Sequence, residues 1–315
     1  MMASELVKGA VMDHRSWRRR TFGGVVVAGL AAASLILGGP GRVDAQVAVP
    51  SKPAIFHDGT WFLRDSLTSG VATSTFRFGR GGDIPVMGDW DGDGADTVGV
   101  VRATPGSDGF VRYTWYLRNT NSGGAADVTP FVYGRQQFVA ADQLGTIPLV
   151  GDWDGDGDDT AAVMLYDADP AGPMRWHLRN SNTSGPADDV VTYSRGRDVP
   201  ITGDWDGDGD DSLGVVRGTT WLLSNAVTGG AADISFVYGS PSFSELPVPG
   251  DWDGNGTYTP AVLRNSPPTD ADGGYEQWLF RNANSGGPAS GQITFGGDAQ
   301  TVDPPIEFIP RLSWK

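Results

Sequence analysis

The chain has 315 residues, enough for one large domain or two small ones, and carries a net charge of −15. An acidic excess of this size argues against nucleic acid as a partner. The absence of cysteine excludes disulfide frameworks, thiolate metal sites and cysteine nucleophiles, and 46 glycines with 21 prolines favour a β protein with many turns.

The first 45 residues have the features of an export signal. Three consecutive arginines end at Arg20 and precede an apolar run at 22–37, and small residues follow at Val43 and Ala45. The sequence therefore predicts cleavage after Ala45 by either the general secretory or the twin-arginine route, the alternative being a retained membrane anchor. Cleavage would leave a secreted or cell-surface chain, residues 46–315, that has no membrane span.

After this leader, a unit of four short segments recurs along the chain. The first reads aliphatic–proline and runs into Gly-Asp-Trp, the second is apolar, the third begins with tryptophan, and the fourth ends in aromatic–glycine. Each segment is rich in β-branched and aromatic residues and is bounded by turn residues, so each is predicted to be a strand. The tryptophans that open the third segments favour core positions over sugar-stacking platforms: Trp61, Trp115, Trp176, Trp221 and Trp278.

Four strands repeated at intervals of 47 to 63 residues predict an all-β, five-bladed β-propeller of four-stranded antiparallel blades. The two ends of the chain carry complementary parts of one unit. Residues 53–56 match a second strand, whereas residues 309–314 match a first strand that is one residue short. We therefore expect the C-terminal strand to join the N-terminal strands 2–4 and close the ring, which would remove both open sheet edges.

Sixteen acidic residues are concentrated in four loops, at 88–97, 151–160, 203–212 and 250–259. Each loop places carboxylates or an amide at alternate positions one, three and five and a glycine at position six, the spacing that wraps a backbone around Ca²⁺. Position twelve holds valine rather than the glutamate of an EF-hand. The predicted ligands at positions one, three and five are Asp89, Asp91 and Asp93; Asp152, Asp154 and Asp156; Asp204, Asp206 and Asp208; and Asp251, Asp253 and Asn255.

These segments resemble the FG-GAP (VCBS) repeat, which builds the calcium-bearing β-propeller of integrin α-subunits and of many secreted bacterial proteins. The resemblance rests on Phe78-Gly79, on Gly88 to Gly94 and on Val98-Gly99-Val100, and it extends over residues 53–315. It implies the same calcium ligands. The family closes its loop with aspartate at position nine, but here aspartates stand at position eight, as Asp96, Asp159 and Asp211, and are the candidate closing ligands. The loop at 250–259 has Tyr258 there and is expected to bind calcium more weakly.

Calcium that holds the loops shut is the role that the sequence favours for these sites, since Asp-Gly pairs that only make turns need one aspartate rather than three. The arginines that end the third segment, such as Arg118, are expected to pair with loop aspartates. Irregular connections on the opposite face of the propeller are the predicted surface for a partner.

The functional prediction is a binding or adhesion module for an extracellular glycan or protein ligand, with a lectin-like role as its sharpest version. The alternatives are a glycan-cleaving propeller enzyme and a surface-structural protein without a small ligand. His57 and His177 fall inside predicted strands, and no separate pair of carboxylates suits glycoside cleavage. No catalytic residue is therefore predicted.

Overall fold

The computed structural model describes residues 23–27, 49–137, 146–167, 169, 171–196, 198–243, 245–265 and 275–297. These residues form twenty strands in five separate antiparallel sheets of four strands each, arranged as a five-bladed β-propeller. The predicted fold class is confirmed. In this part of the chain we find no helix with the length and apolar character needed to cross a membrane.

The blades are numbered in chain order, and within each blade consecutive strands are neighbours. Blade 1 holds β1–β4, blade 2 holds β5–β8, blade 3 holds β9–β12, blade 4 holds β13–β16 and blade 5 holds β17–β20. The strand bounds are β1 Gly23–Val27, β2 Pro53–His57, β3 Thr60–Leu63, β4 Ser74–Arg77, β5 Ile84–Gly88, β6 Thr97–Pro105, β7 Phe110–Leu117, β8 Phe131–Gln137, β9 Ile147–Gly151, β10 Thr160–Tyr166, β11 Pro173–Leu178, β12 Asp189–Arg195, β13 Val199–Gly203, β14 Ser212–Arg217, β15 Thr220–Leu223, β16 Ile234–Val237, β17 Glu245–Pro247, β18 Ala261–Asn265, β19 Tyr275–Phe280 and β20 Gly291–Gly297.

A tryptophan near the middle of each third strand anchors the blade. All five are at most 1 % exposed: Trp61, Trp115, Trp176, Trp221 and Trp278. Each indole N–H donates to a backbone carbonyl 17 or 18 residues later, as Trp115 does to Tyr133 at 2.9 Å. A large buried ring with a satisfied N–H serves as core, so these residues do not form sugar-stacking platforms.

The blades form a closed ring because each apolar face packs on the next blade. The first strands lie side by side around the centre, with β1 beside β5, β5 beside β9 and β9 beside β13. One buried cluster joins Trp278 of blade 5, Trp61 of blade 1 and Val100 of blade 2. Backbone bonds also link the ends of the ring, since Gly70 N–H donates to Thr294 O at 3.2 Å.

The first strand of blade 1 differs from the expectation. Gly23–Val27, from the predicted leader, pairs with β2 in the place that the sequence analysis assigned to residues 309–314. Residues 298–315 and the rest of residues 1–48 lie outside the described part of the chain. Cleavage after Ala45 stays a prediction.

Candidate metal centre

The four acidic loops lie on one face of the propeller, together with the turns between third and fourth strands. Asn119 Nδ2 donates to Asp91 Oδ2 at 2.6 Å, and Asn121 Nδ2 donates to Asp96 O at 3.1 Å, so a turn and a loop of the same blade touch. We call this the loop face. The opposite side, which carries the connections between second and third strands and between blades, is the rim face.

The position-one aspartate is buried and holds its own loop together. In blade 4, Asp204 is 2 % exposed and accepts N–H bonds from Gly207, Asp208 and Gly209 at 2.7, 3.2 and 3.0 Å. Asp152 and Asp251 accept the same three bonds in their loops, and Asp89 accepts two of them, from Asp93 and Gly94. Because both carboxylate oxygens accept hydrogen bonds from backbone N–H groups, they hold the loop in a tight curl.

This curl brings the predicted ligands at positions one, three and five together in three loops. One carboxylate oxygen from each residue lies within 4.8 Å of the others in the groups Asp89, Asp91 and Asp93; Asp152, Asp154 and Asp156; and Asp204, Asp206 and Asp208. The first member is buried and the other two are exposed, so each group opens to solvent. Each of the three groups could hold a metal ion.

The loop of blade 5 has the same local geometry with a different ligand set. Asp251 accepts from Gly254, Asn255 and Gly256 at 2.8, 3.0 and 2.8 Å, as Asp204 does in blade 4. An amide at Asn255 replaces the position-five carboxylate, so positions one, three and five of this loop carry one negative charge fewer than those of blade 4.

The position-eight residues connect neighbouring blades. Asp159 N–H donates to Asp89 O at 2.6 Å, and Asp159 Oδ2 accepts from Asp89 N–H at 2.9 Å. Asp211 and Asp152 make the same pair of bonds at 2.8 and 3.0 Å. These two carboxylates thus support the position-one residue of the preceding blade and lie outside the groups of three. A role for Asp96, Asp159 and Asp211 as closing ligands stays a prediction.

A second contact between blades involves position seven, which the sequence analysis did not consider. A Cβ added at Gly92 of blade 2 would come 2.4 Å from Asp158 Oδ1 of blade 3, and one at Gly155 would come 2.3 Å from Asp210 Oδ1 of blade 4. In blades 3 and 4, position seven therefore adds a carboxylate beside position four of the preceding loop. In the sequence, this contact is indicated by the additional aspartates at position seven of two loops, Asp158 and Asp210.

Burial and crowding raise the pKa values of several of these carboxyl groups. Burial raises the pKa of Asp89 to about 6, against the lowering effect of N–H bonds from Gly94 and Asp93. Burial also raises the pKa of Asp251. The pKa of Asp158 is raised by burial and then by the charges of Asp156, Asp91 and Asp154, of which Asp91 belongs to the neighbouring blade. The loop face therefore concentrates negative charge across the blade boundaries.

On the rim face, acids are paired with arginine. Arg102 donates from Nε and Nη2 to the two oxygens of Asp83, both at 2.7 Å, and Asp83 is fully buried. Arg217 and Asp198 repeat the arrangement, as do Arg264 and Glu245. In each pair the acid precedes the arginine by 19 residues. This pattern was visible in the sequence but was not recognised.

The expectation for the arginines after the third strand was wrong. Arg64, Arg179 and Arg281 donate to carbonyl oxygens of their own turn; Arg64 Nη1, for example, donates to Val71 O at 2.6 Å. Arg118 donates to Ala125 O in the same way. Arg179 also donates to the carboxylate of Asp188, which belongs to the same turn and not to an acidic loop. These guanidinium groups stabilise the turns rather than the acidic loops, because they follow the strand directly and reach only the turn that it enters.

The two histidines lie in strands, as expected. His57 ends β2, and His177 lies in β11, where burial lowers its pKa. His177 lines an open cleft of about 300 Å³ between blades 2 and 3, together with Tyr133, Arg135 and Leu165. Burial raises the pKa of Glu276, near the rim-face end of β19, to about 8.

Comparison with known proteins found no matching family model, no matching curated protein and no matching solved structure.

Proposed function

We propose that this protein is an exported calcium-binding β-propeller that acts as a binding module. In this proposal, ions in the acidic loops hold neighbouring blades together, and the rim face carries the partner. The observation that supports it most strongly is the grouping of three aspartates within 4.8 Å in each of three loops. The resemblance to FG-GAP repeats points to the same function.

The charge balance of the loops supports a cation. Among the described residues, no basic side chain lies within 4.0 Å of the carboxylates at positions three and five, whereas rim-face acids such as Asp83 have arginine partners. Crowded carboxylates repel one another unless a counter-ion lies between them. A donor set made only of oxygen favours a hard cation, and Ca²⁺ tolerates the irregular coordination of such loops better than Mg²⁺.

The position of the loops indicates what the ion would do. Asp89 and Asp152 each belong to a group of three carboxylates and also exchange two hydrogen bonds with the next blade, as Asp152 does with Asp211. An ion bound there would order the loop and the blade boundary together. For extracellular sites with dissociation constants of about 10⁻⁴–10⁻³ M, calcium at about 10 mM would add about 1.4–2.7 kcal/mol per site.

A thermal melt with calcium and with chelator tests this part of the proposal. We expect calcium to raise the melting temperature by about 10 °C when several sites fill, since about 1 kcal/mol corresponds to 2–4 °C in a chain of this size. Magnesium at the same concentration should raise it less. An identical melting temperature in calcium and in chelator would contradict the proposal.

The partner surface is supported by two aromatic rings on the rim face, one exposed and one half-buried, each beside an arginine. Phe243 is 47 % exposed, and the Arg264 guanidinium lies 3.9 Å from the centre of its ring. The Arg135 guanidinium lies 3.5 Å from the centre of the Phe110 ring. Aromatic rings beside charged donors suit sugar rings, which combine apolar faces with hydroxyl groups. A glycan is therefore the ligand class that we propose.

A glycan array probed with the calcium-loaded protein tests the ligand. Phe243→Ala should weaken binding of any glycan that the protein retains by up to about tenfold, because a ring contact contributes about 0.5–1.5 kcal/mol. Val71→Ala, which truncates an exposed residue in a loop-face turn, should leave binding unchanged. Turnover of the retained glycan would instead favour the alternative of a glycan-cleaving enzyme.

A further inference from the structure

A cleft of about 300 Å³ follows the boundary between blades 2 and 3. It runs along β8, from the loop-face turn that contains Gly185 and Ala187 to the side chain of Arg135 near the rim face. Apolar residues such as Val163 form most of its walls, and His177 adds an imidazole. An open site with apolar walls and few polar groups suits a small ligand.

At three other boundaries the chain fills the rim-face end with an ion pair of its own. Asp83, Asp198 and Glu245 each stand 19 residues before an arginine and accept hydrogen bonds from it. Two of these acids also lie beside the glycine that ends the fourth segment of the preceding blade. A Cβ added at Gly239, for example, would come 2.6 Å from Glu245 Oε2. These boundaries therefore contain a carboxylate that the chain supplies.

The boundary between blades 2 and 3 has an uncharged residue at both of these places. Thr146 stands where the other blades have the acid, and Leu165, 19 residues later, stands where they have the arginine. The strand pairing fixes this register, because in blades 2 to 5 the residue before the arginine or before Leu165 pairs with the third-strand tryptophan. The glycine that ends the preceding fourth segment is Gly134, and it lines the cleft. The cleft thus lies where the chain does not supply the carboxylate.

The third strand of blade 3 also differs from its counterparts. His177 follows the core tryptophan, and the residues at this place in the other blades are aromatic or aliphatic: Phe62, Tyr116, Leu222 and Leu279. In blade 2 the Arg102 guanidinium lies 4.6 Å from the centre of the Tyr116 ring and covers it. Leu165 has no such group, and the imidazole of His177 lies half-buried in the cleft, where it can donate or accept a hydrogen bond.

Positive charge at this boundary comes from Arg135 of blade 2. Its guanidinium lies on the Phe110 ring, and its one hydrogen-bond acceptor among the described residues is Asp108 Oδ2, at 3.3 Å. A guanidinium has five N–H donors in a planar fork that fits a carboxylate. Burial and then the charge of Arg175 lower the pKa of His177, so a second positive charge acts on the imidazole. This end of the cleft therefore favours an anion.

The net charge of −15 does not oppose an anion at this place. Arg135 lies near the rim face, opposite the acidic loops, and charges in solvent are largely screened beyond about 8–10 Å at physiological ionic strength. The acids near the cleft also have partners. Asp108 is paired with Arg112 as well as with Arg135, and Asp167 lies 3.9 Å from Arg175.

We infer that the cleft between blades 2 and 3 binds a uronic acid, a sugar whose ring carries a carboxylate. The carboxylate of the ligand takes the place beside Gly134 that acidic side chains fill at the other boundaries, and Arg135 is its partner. The sugar ring lies against Val163 and Leu165, with a hydroxyl group bonded to His177. A cleft of this volume is at the small end of the range for ligand sites, which suits a single sugar ring. This assignment rests on the proposed function, because it specifies the glycan as acidic.

Titration of the calcium-loaded full chain with galacturonate, followed by NMR of the histidine rings, tests the inference. The chain has three histidines, and His177→Leu, which introduces the residue of blades 4 and 5, identifies the His177 signal. We expect galacturonate to shift this signal with a dissociation constant on the order of 1 mM, and galactose, which has no carboxylate, to bind at least about tenfold more weakly. A His177 signal that does not move at about 20 mM galacturonate overturns the inference, as does equal binding of the two sugars.

A pair of matched arginine variants locates the carboxylate. Arg135→Ser introduces the residue that blade 5 has at this place, Ser240, and should weaken galacturonate binding by about tenfold, because a charge-assisted hydrogen bond is lost. The control is Arg80→Ser, which removes the corresponding arginine at a boundary where Asp83 already supplies the carboxylate. It should leave binding unchanged. Equal effects of the two substitutions contradict the inference.

The double variant Thr146→Asp with Leu165→Arg builds into this boundary the ion pair of the other three. It should abolish galacturonate binding, because a carboxylate of the chain then fills the place of the ligand, and its melting temperature should equal or exceed that of the parent. A folded double variant that binds galacturonate as tightly as the parent overturns the inference. A protein that retains neutral glycans on the array but shows no galacturonate binding keeps the proposed function and loses only this inference.

Discussion

The two faces of the propeller hold buried acids in different ways. On the rim face, Asp83 and Asp198 are buried and each is paired with an arginine through two bonds. On the loop face, Asp204 is equally buried, but the bonds that it accepts in its loop come from backbone N–H groups, and Asp206 and Asp208 lie beside it. An arginine partner completes the charge balance within the chain, whereas a group of three carboxylates needs a cation from solution. Stability of the loop face should therefore depend on calcium and that of the rim face should not.

The largest expected effect is at position one of a loop. Asp204→Ala removes the acceptor of three loop N–H groups and one ligand, and it should lower the free energy of unfolding by about 3–4 kcal/mol in calcium. Part of this loss should persist in chelator, because the amides lose their partner with or without an ion. Urea unfolding in both conditions measures it. A loss below about 1 kcal/mol would show that the carboxylate does not organise the loop.

The matched change on the rim face is Arg102→Met, which leaves Asp83 buried without its guanidinium partner. We expect a loss of about 2–3 kcal/mol, because a buried carboxylate that loses its counter-charge must be protonated or solvated. The loss should be the same in calcium and in chelator. If the loss in free energy of unfolding doubled in chelator, stability of the rim face would also depend on calcium, and the two faces would not differ in this respect.

A pH-dependent effect is expected near the rim face at Glu276. Its folded-state pKa of about 8 lies above the ordinary 4.5, so the folded chain keeps a proton that the unfolded chain releases. The contribution of this group to the free energy of unfolding is fully present below pH 4.5 and is lost as the pH rises towards 8. Over pH 5 to 8.5 the full shift corresponds to about 4 kcal/mol. The Glu276 side chain is only partly buried, and solvent screening reduces the expected gain of Glu276→Gln over the parent to about 2 kcal/mol. Parallel pH profiles of parent and variant would contradict this.

At positions three and five the expected effect is smaller and depends wholly on calcium. Asp206→Asn should lower the free energy of unfolding by about 1 kcal/mol in calcium, because one charged ligand becomes neutral. In chelator it should be neutral or slightly stabilising, since it relieves repulsion. The control is Asp189→Asn, which changes an exposed aspartate outside the loops and should be silent in both conditions. Equal losses for Asp206→Asn in both conditions would argue against an ion.

The smallest expected effect is a gain in the loop of blade 5. Asn255→Asp restores the position-five carboxylate and should tighten calcium binding there by about threefold, which is less than 1 kcal/mol. Terbium luminescence competed with calcium can follow this loop. If Asn255→Asp weakened calcium binding, the amide would be the better ligand. The prediction that this loop binds calcium more weakly than the other three would then be wrong.

Much of the fold could be predicted from the sequence because each blade repeats the same short-range signals. The strand order, the number of blades and the buried tryptophans follow from the four-segment repeat, because each segment pairs with its neighbours in the same blade. The groups of three aspartates follow from spacing alone, because alternate positions of a tight loop point to one side.

The contacts between blades could not be predicted in the same way. They join residues that are 50 to 70 positions apart, as with Asp89 and Asp159, which are 70 apart. The bond from Asp159 to the preceding loop depends on how two blades pack, and the same is true of Asp158 beside Gly92. The ion pairs on the rim face were predictable in principle, because each spans 19 residues within one hairpin. The signal is an acid just before the first strand and an arginine at the end of the second, which antiparallel pairing brings together.

The central claim is that aspartates at alternate positions of the loops bind calcium in the folded protein. Equilibrium dialysis of the full chain against about 10 mM calcium, followed by elemental analysis of both compartments, tests it most directly, because sites of this affinity would empty if the free ion were removed. We predict about three to four calcium ions per chain, with fewer in a variant that combines Asp206→Asn and Asp208→Asn. A correctly folded chain that holds no calcium under these conditions would contradict the claim.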